Sequence, residues 1–324
     1  MKKIIIFLTT LLFVALSIAI YSWNSYNADG NLEQATTIIL PKGISFIDAV
    51  DLLHEKEIIS IPPIIFKAVA YLKGDAARIK AGEYIFHSYI APSEVLNMLV
   101  KGDVVIHKIT IAEGLNVREI SELLNSNDIL TGDIPENLEE GSLLPETYYF
   151  SRGDSRSSII ERMQRKMIAT IDSLWEERAK KLPIKNKKEA LTLASIVEKE
   201  TGVPDERARV AAVFINRLRK GMKLQSDPTT IYGLEKKNGK PLERALIISD
   251  LKEPTPYNTY TIYGLPPAPI TNPGYEAIKA TLNPLKTSEL YFVATGDGGH
   301  NFSKTLTEHN SNVTKYRIKK KNKK

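Results

Sequence analysis

Glu198 and Glu200 are the side chains whose type and surroundings best suit acid–base chemistry. They close the stretch Glu189 to Thr201 (EALTLASIVEKET), whose pattern predicts a helix stopped by Gly202 and Pro204. On a helical wheel Ala190, Leu193, Ala194 and Val197 form an apolar stripe, the two glutamates lie on its opposite flanks, and Lys199 points to solvent. Residues two apart on a helix do not face each other, so they are not a ready-made acid/base pair. Each lies near enough to apolar surface for desolvation to raise its pKa, as a general acid requires. The plainer alternative for either is an exposed charge at a helix end, and the wheel does not choose between them.

Other chemistries lack their residues. The chain has no cysteine, which excludes thiol nucleophiles, disulfide scaffolds and cysteine-bound metals. Its five histidines, at 54, 87, 107, 300 and 309, form no tight ligand spacing, so neither a metal nor a cofactor is expected. There is no phosphate-cradling glycine loop, dinucleotide fingerprint or Gly-x-Ser-x-Gly elbow. Ser249-Asp250-Leu251-Lys252 matches a Ser-x-x-Lys pattern, but it lies beside Pro254 and Pro256 and lacks a Lys-Thr-Gly element. Carboxylates among aromatic and amide side chains remain. Such sets handle sugar polymers, because aromatic faces stack on pyranose rings and Asn, Gln and Asp match vicinal hydroxyls.

The elements that must position these groups follow from periodicity. Asp205 to Lys220 reads as a second helix stopped by Gly221. Beyond it the chain reads as loop-rich through Leu224–Thr230, Tyr257–Tyr260 and Gly264–Pro267, with a strand at Glu289 to Ala294. Ile160 to Lys181 reads as a helix packed on a core rather than one lying on a membrane, because Glu161, Asp172, Glu176 and Glu177 dilute its basic face. Nearer the amino terminus one scheme occurs twice. Strand Thr37–Leu40, a turn at Gly43 and a Ser45-capped helix Phe46–Lys56 are echoed by strand 108–114, Asn116 and helix Val117–Leu124. A further helix opens at Tyr89–Ser93. The fold class expected is therefore α+β, with a basic, frayed tail at 318–324.

Of 324 residues, 43% are hydrophobic and 25% charged, an ordinary globular balance, and the net charge of +6 selects no polyanionic partner. Lys2 and Lys3 precede an apolar run from Ile4 to Trp23, long enough to span a bilayer. Tyr21 and Trp23 fall where aromatics meet headgroups, and the lysines place the amino terminus in the cytoplasm. A cleaved signal peptide is the alternative; the long core and the lack of a small-x-small site before Tyr21 favour an uncleaved anchor. Residues 25–34 read as a polar tether.

Five blocks carry a resemblance. Leu193–Thr201 (LASIVEKET), Val213–Leu218 (VFINRL), Leu224–Thr229 (LQSDPT), Tyr257–Tyr260 (YNTY) and Gly264–Pro267 (GLPP) occur in that order within about 110 residues, and Pro145–Tyr148 also fits. Together they resemble the YceG-like family of membrane-anchored endolytic murein transglycosylases. The resemblance implies an anchor at 4–23, a LysM-like module at 35–130 and a mixed α/β lytic-transglycosylase domain at 131–317. It implies Glu198 as the catalytic acid and then base, cleaving peptidoglycan between N-acetylmuramic acid and N-acetylglucosamine with closure of a 1,6-anhydro ring. Gln225, Asp227, Tyr257, Asn258 and Tyr260 are candidates for lining the glycan groove, and Glu200 for supporting the site. The implied setting is the outer face of a bacterial cytoplasmic membrane, single-pass, beside penicillin-binding peptidoglycan synthases and without nucleic acid. A non-catalytic peptidoglycan-binding anchor protein and a hydrolytic muramidase using Asp227 are the rival readings.

Overall fold

The computed structural model describes residues 2–322. It is a mixed α+β structure of two compact units. The first comprises residues 1–108, 129–131 and 149–154; the second comprises 109–128, 132–148 and 155–324.

The first unit begins with helix α1 (Lys2–Asn27), which contains the expected span. It is the one helix among the described residues that is long and apolar enough to cross a membrane. Residues 25–34 are not a loose tether. The helix continues to Asn27, and Tyr26, 1% exposed, is buried in the unit's core. Beyond it the Gly30 amide donates to the Tyr89 carbonyl at 3.1 Å, and the Tyr89 amide donates to the Leu32 carbonyl at 2.7 Å. A Cβ on Gly30 would lie 2.2 Å from the Ile90 carbonyl oxygen, so only glycine fits this approach.

Strand β1 (Thr36–Leu40) pairs antiparallel with β2 (Gly82–Phe86), in the register Ile38 opposite Tyr84. Alternation turns Ile38, Leu40, Tyr84 and Phe86 inward. Helices α2 (Phe46–Glu55), α3 (Pro63–Lys73) and α4 (Pro92–Lys101) cover that face with Val50, Leu53, Phe66, Val95 and Leu99. Ser45 caps α2 as expected, accepting from the Asp48 amide.

The second strand–turn–helix also forms, as β3 (Ile106–Thr110) and α5 (Val117–Asn125). Asn116 and Glu119 make a reciprocal capping box there. Residues 109–128 pack in the second unit. β3 pairs with β4 (Thr147–Ser151).

The second unit is mostly helical, with strands kept to two-stranded sheets rather than alternating with helices. Its core is built round α7 (Lys187–Glu200), whose residues 192–197 are all buried. Against α7 pack α6 (Arg156–Glu176), α8 (Arg207–Arg219) and α10 (Tyr275–Leu282), through Met167, Ile171, Val210, Phe214, Ile278 and Leu282. The expected packed-helix reading of α6 holds: Ile160, Met163, Met167, Ile171 and Leu174 are buried.

Two expectations are corrected. The stretch after Leu224 is not all loop, because Asp227–Asn238 forms α9, with Pro228 in its first turn and Gly239 closing it at φ 69°. The tail is not frayed over its described part, because α11 (Leu306–Asn322) runs through it as a helix with no buried residue. Residues 323–324 lie outside the described residues. The last strands, β5 (Tyr291–Ala294) and β6 (His300–Ser303), form an antiparallel hairpin.

Candidate active site

Helix α7 starts cleanly, with the Asn186 side chain accepting from the Glu189 amide at 2.8 Å. Lys188, Leu191, Ser195 and Glu198 recur at helical spacing and share one face. The irregular segment 268–274 is laid along that face. The Ile270 amide donates to Ser195 Oγ at 3.0 Å, and the Gly274 amide donates to Glu198 Oε2 at 2.8 Å.

The Glu198 side chain is 4% exposed. Arg207, at the start of α8, lies between two carboxylates: its Nη2 is 3.1 Å from Glu113 Oε2 and 3.5 Å from Glu198 Oε1. Burial raises the pKa of the Glu198 carboxyl from its ordinary value, and the Glu113 charge adds to this. The Gly274 amide, Arg207 and Lys199 pull the other way without cancelling it. The result is a fixed carboxyl group that keeps its proton to higher pH than an exposed glutamate does.

Glu200, two residues on, points elsewhere. Its carboxylate accepts from Ser226 Oγ at 2.5 Å. Burial pushes it up to about 7, with Asp227 adding and Ser226 and Arg217 opposing. Near it Asp227 accepts from the Tyr260 hydroxyl at 2.6 Å. Gln225 is exposed, with a left-handed backbone at φ 51° fixed by its amide donating to the Thr259 carbonyl. Glu200, Gln225, Asp227 and Tyr260 thus come together, apart from the polar partners of Glu198.

Asn258 does not line a groove. It is 0% exposed, and its amide nitrogen donates to the carbonyls of Asp250, Leu251 and Glu253 while its Oδ1 accepts from Thr230 and the Tyr260 amide. Tyr257 is in a third place, packed edge-to-face on Tyr232 at 4.8 Å.

That tyrosine pair borders a cleft of about 980 Å³ whose walls also include Glu140, Lys188, Leu191 and Pro269. Glu198 is not among the lining residues. Lys188 and Leu191 share its face of α7, and Pro269 belongs to the segment that ends on it. Glu140 is a carboxylate that sequence reasoning passed over. It accepts from the Val117 amide at 3.0 Å, and Asn272 Nδ2 lies 3.4 Å away. Burial pushes it up to about 7 against the pull of the Val117 amide and Lys236. Glu113 and Arg207 were missed as well. They meet Glu198 from loop and helix segments brought together by folding, so no local spacing announces them.

A sequence model of the YceG-like family matches residues 38–315. The chain belongs to the YceG-like family. A Bacillus subtilis (strain 168) protein named endolytic murein transglycosylase is 40% identical over 61% of this chain and 53% of its own length. A Streptococcus pneumoniae (strain D39) protein of the same name is 27% identical over 89% of this chain and 59% of its own. This YceG-like chain therefore spans less than two thirds of the length of the curated relatives it matches. A crystal structure of a yceG-like protein from Listeria monocytogenes aligns with TM-score 0.53 at 31% identity, covering 86% of this chain and 98% of that one.

Proposed function

We propose that the chain is a lytic transglycosylase that cuts peptidoglycan glycan strands internally, with Glu198 as its catalytic group. The observation that carries this is the buried Glu198 carboxyl, its pKa raised by burial and its Oε2 held by the Gly274 amide. Two relatives named for that activity support it.

In the proposed mechanism, protonated Glu198 donates to the glycosidic oxygen as the bond from C1 of N-acetylmuramic acid to that oxygen breaks and oxocarbenium character develops. The carboxylate then takes the proton of the muramoyl C6 hydroxyl as this oxygen bonds to C1. The products are a 1,6-anhydro end and a new N-acetylglucosamine end, and no water is consumed. One carboxyl group serves both steps.

Tyr257, on the cleft wall, is the proposed stacking face for a sugar ring. Exposed Gln225 and Asp227 are proposed hydroxyl partners. Tyr260 holds Asp227, and Glu200 and Asn258 hold their loops from inside. The membrane-proximal residues 35–130 are proposed as a LysM-like glycan-binding or spacing element. The catalytic part is proposed at 131–317, with a basic end at 318–324. With α1 spanning the cytoplasmic membrane and the remainder outside, tethering would favour nascent strands and neighbouring peptidoglycan synthases.

Asp227 is engaged by Tyr260 beside Glu200, which leaves it poorly placed to serve as a water-activating base opposite Glu198. The test is mass spectrometry of fragments released by the full chain in detergent from sacculi and from freshly polymerised strands. Anhydro-muramoyl ends are expected, with Glu198→Gln slower by about 10²–10⁴-fold, the usual worth of a general acid. Free reducing ends would make it a hydrolase. Intact strands bound but uncut would leave a binding protein.

A further inference from the structure

Helix α3 is apolar almost all round. Its eleven residues, PIIFKAVAYLK, carry only two charges, Lys67 and Lys73. Such a helix belongs in a core or against a membrane, yet only one face of α3 is covered. Phe66 and Ala70 are fully buried, and Ile65 and Val69 are half-buried against the same cluster. The opposite face is largely uncovered: Ile64 is 76% exposed and Leu72 88%, Ala68 lies between them, and Tyr71, whose ring edge meets Phe46 at 5.4 Å, is still 59% exposed. At spacings of four and three or four residues these form one continuous stripe.

The charges do not interrupt it. Lys67 Nζ is tied to Asp51 Oδ1 at 2.6 Å, and its side chain is 21% exposed. Lys73 ends the helix, with its Nζ 5.6 Å from the centre of the Tyr26 ring.

The position of the stripe indicates what covers it. α3 is fixed to the end of α1: the Tyr26 ring packs 6.3 Å from Phe66 and 6.1 Å from Trp23. Trp23 closes the apolar run, and at the helical rise Tyr26 stands about 4.5 Å beyond it. The headgroup layer on each side of the hydrocarbon core is about 6 Å deep, so a helix packed on Tyr26 is held at that depth. Long apolar and aromatic side chains with lysines at the margin suit this layer.

We propose that α3 is a second membrane contact, lying in the outer headgroup layer with Ile64, Ala68, Tyr71 and Leu72 toward the acyl chains. Resting on α1 as a membrane span, this makes the first unit seated on the bilayer at two places rather than suspended from one helix.

The test exploits the absence of cysteine. Ile64→Cys, Leu72→Cys, Leu12→Cys and Ile248→Cys, each made singly in the full chain, are spin-labelled in nanodiscs of phosphatidylethanolamine and phosphatidylglycerol. All four positions are exposed, at 76%, 88%, 71% and 77%, so the labels leave the core intact. The readout is the ratio of oxygen to nickel-chelate accessibility. It is expected to be highest at 12, lowest at the loop position 248, and several-fold above that loop value at 64 and 72. A membrane-depth value at 12 with 64 and 72 equal to 248 would overturn the proposal while leaving the anchor intact; a bulk-water value at 12 would overturn both.

Discussion

Replacing Gly274 with alanine isolates the contact that tunes Glu198. Gly274 has φ −78° and ψ 172°, a backbone any residue adopts, so alanine introduces no backbone strain. Its Cβ, however, would lie 1.9 Å from Glu113 Oε1 and 2.4 Å from Cδ. The Glu113 side chain, 41% exposed, has solvent to swing into, and in doing so it gives up its 3.1 Å pair with Arg207. Arg207 is then left with Glu198, 3.5 Å away, as its partner.

A less compensated cation and a more distant anion both favour the charged form of Glu198, so its pKa falls. A general acid must be protonated to act. The basic limb of the pH–activity profile should therefore move to lower pH, with slower cleavage at neutral pH. Stability should change modestly. Glycine to alanine at a compatible site contributes about 0.4–1 kcal/mol through the unfolded chain. Loss of an exposed ion pair costs about 0.2–1 kcal/mol, and alanine is the poorer helix cap by up to about 1 kcal/mol. The net lies between about 0.8 kcal/mol gained and about 1.6 kcal/mol lost, or about 5 °C in Tm at most.

The assay is release of anhydro-muropeptides across pH by the full chain, beside Glu113→Gln and the double variant. If displacement of Glu113 is the cause, Glu113→Gln alone moves the limb the same way and the double variant adds little. An unmoved basic limb, or an activity loss that simply follows a fall in Tm, would refute the reasoning.

Glu140 and Glu200 are both pushed up to about 7 by burial, so the folded protein binds their protons more tightly than the unfolded chain does. Stability should be greatest near pH 5 and fall as pH rises through 7, and Glu140→Gln with Glu200→Gln should flatten that slope in thermal melts at stepped pH. Asn258→Ala removes the side chain that holds the carbonyls of Asp250, Leu251 and Glu253 and the Thr230 hydroxyl. It should cost about 3 kcal/mol, the order expected for buried groups left unpaired, read as a lower denaturant midpoint; a loss below about 1 kcal/mol would mean the loop does not depend on it.

Local pattern fixes those elements whose cause is local. The Ser45 and Asn116 caps, the spacing on α6 and the apolar run inside α1 are readable because each depends on residues within a few positions of one another. α9 was hidden because Thr229 and Thr230 are weak helix formers, and the helix rests on the proline in its first turn and on burial of both threonines. The tether misled for a similar reason: polar composition does not reveal that Tyr26 finds a core. Glu198 and Glu200 differ by two residues and were equivalent on the wheel; the resemblance singled out Glu198. Only the tertiary structure gives them separate partners, Gly274 and Arg207 for one and Ser226 for the other.

By itself, then, the sequence determined α2 and α4 to α8, the Ser45 and Asn116 caps, the long apolar run and the family, because these rest on short-range periodicity and on motifs in order. Folding decided which carboxyl groups are buried, what charges face them and which apolar faces stay bare. Desolvation and Coulomb forces act through space, between groups that sequence separation leaves unrelated.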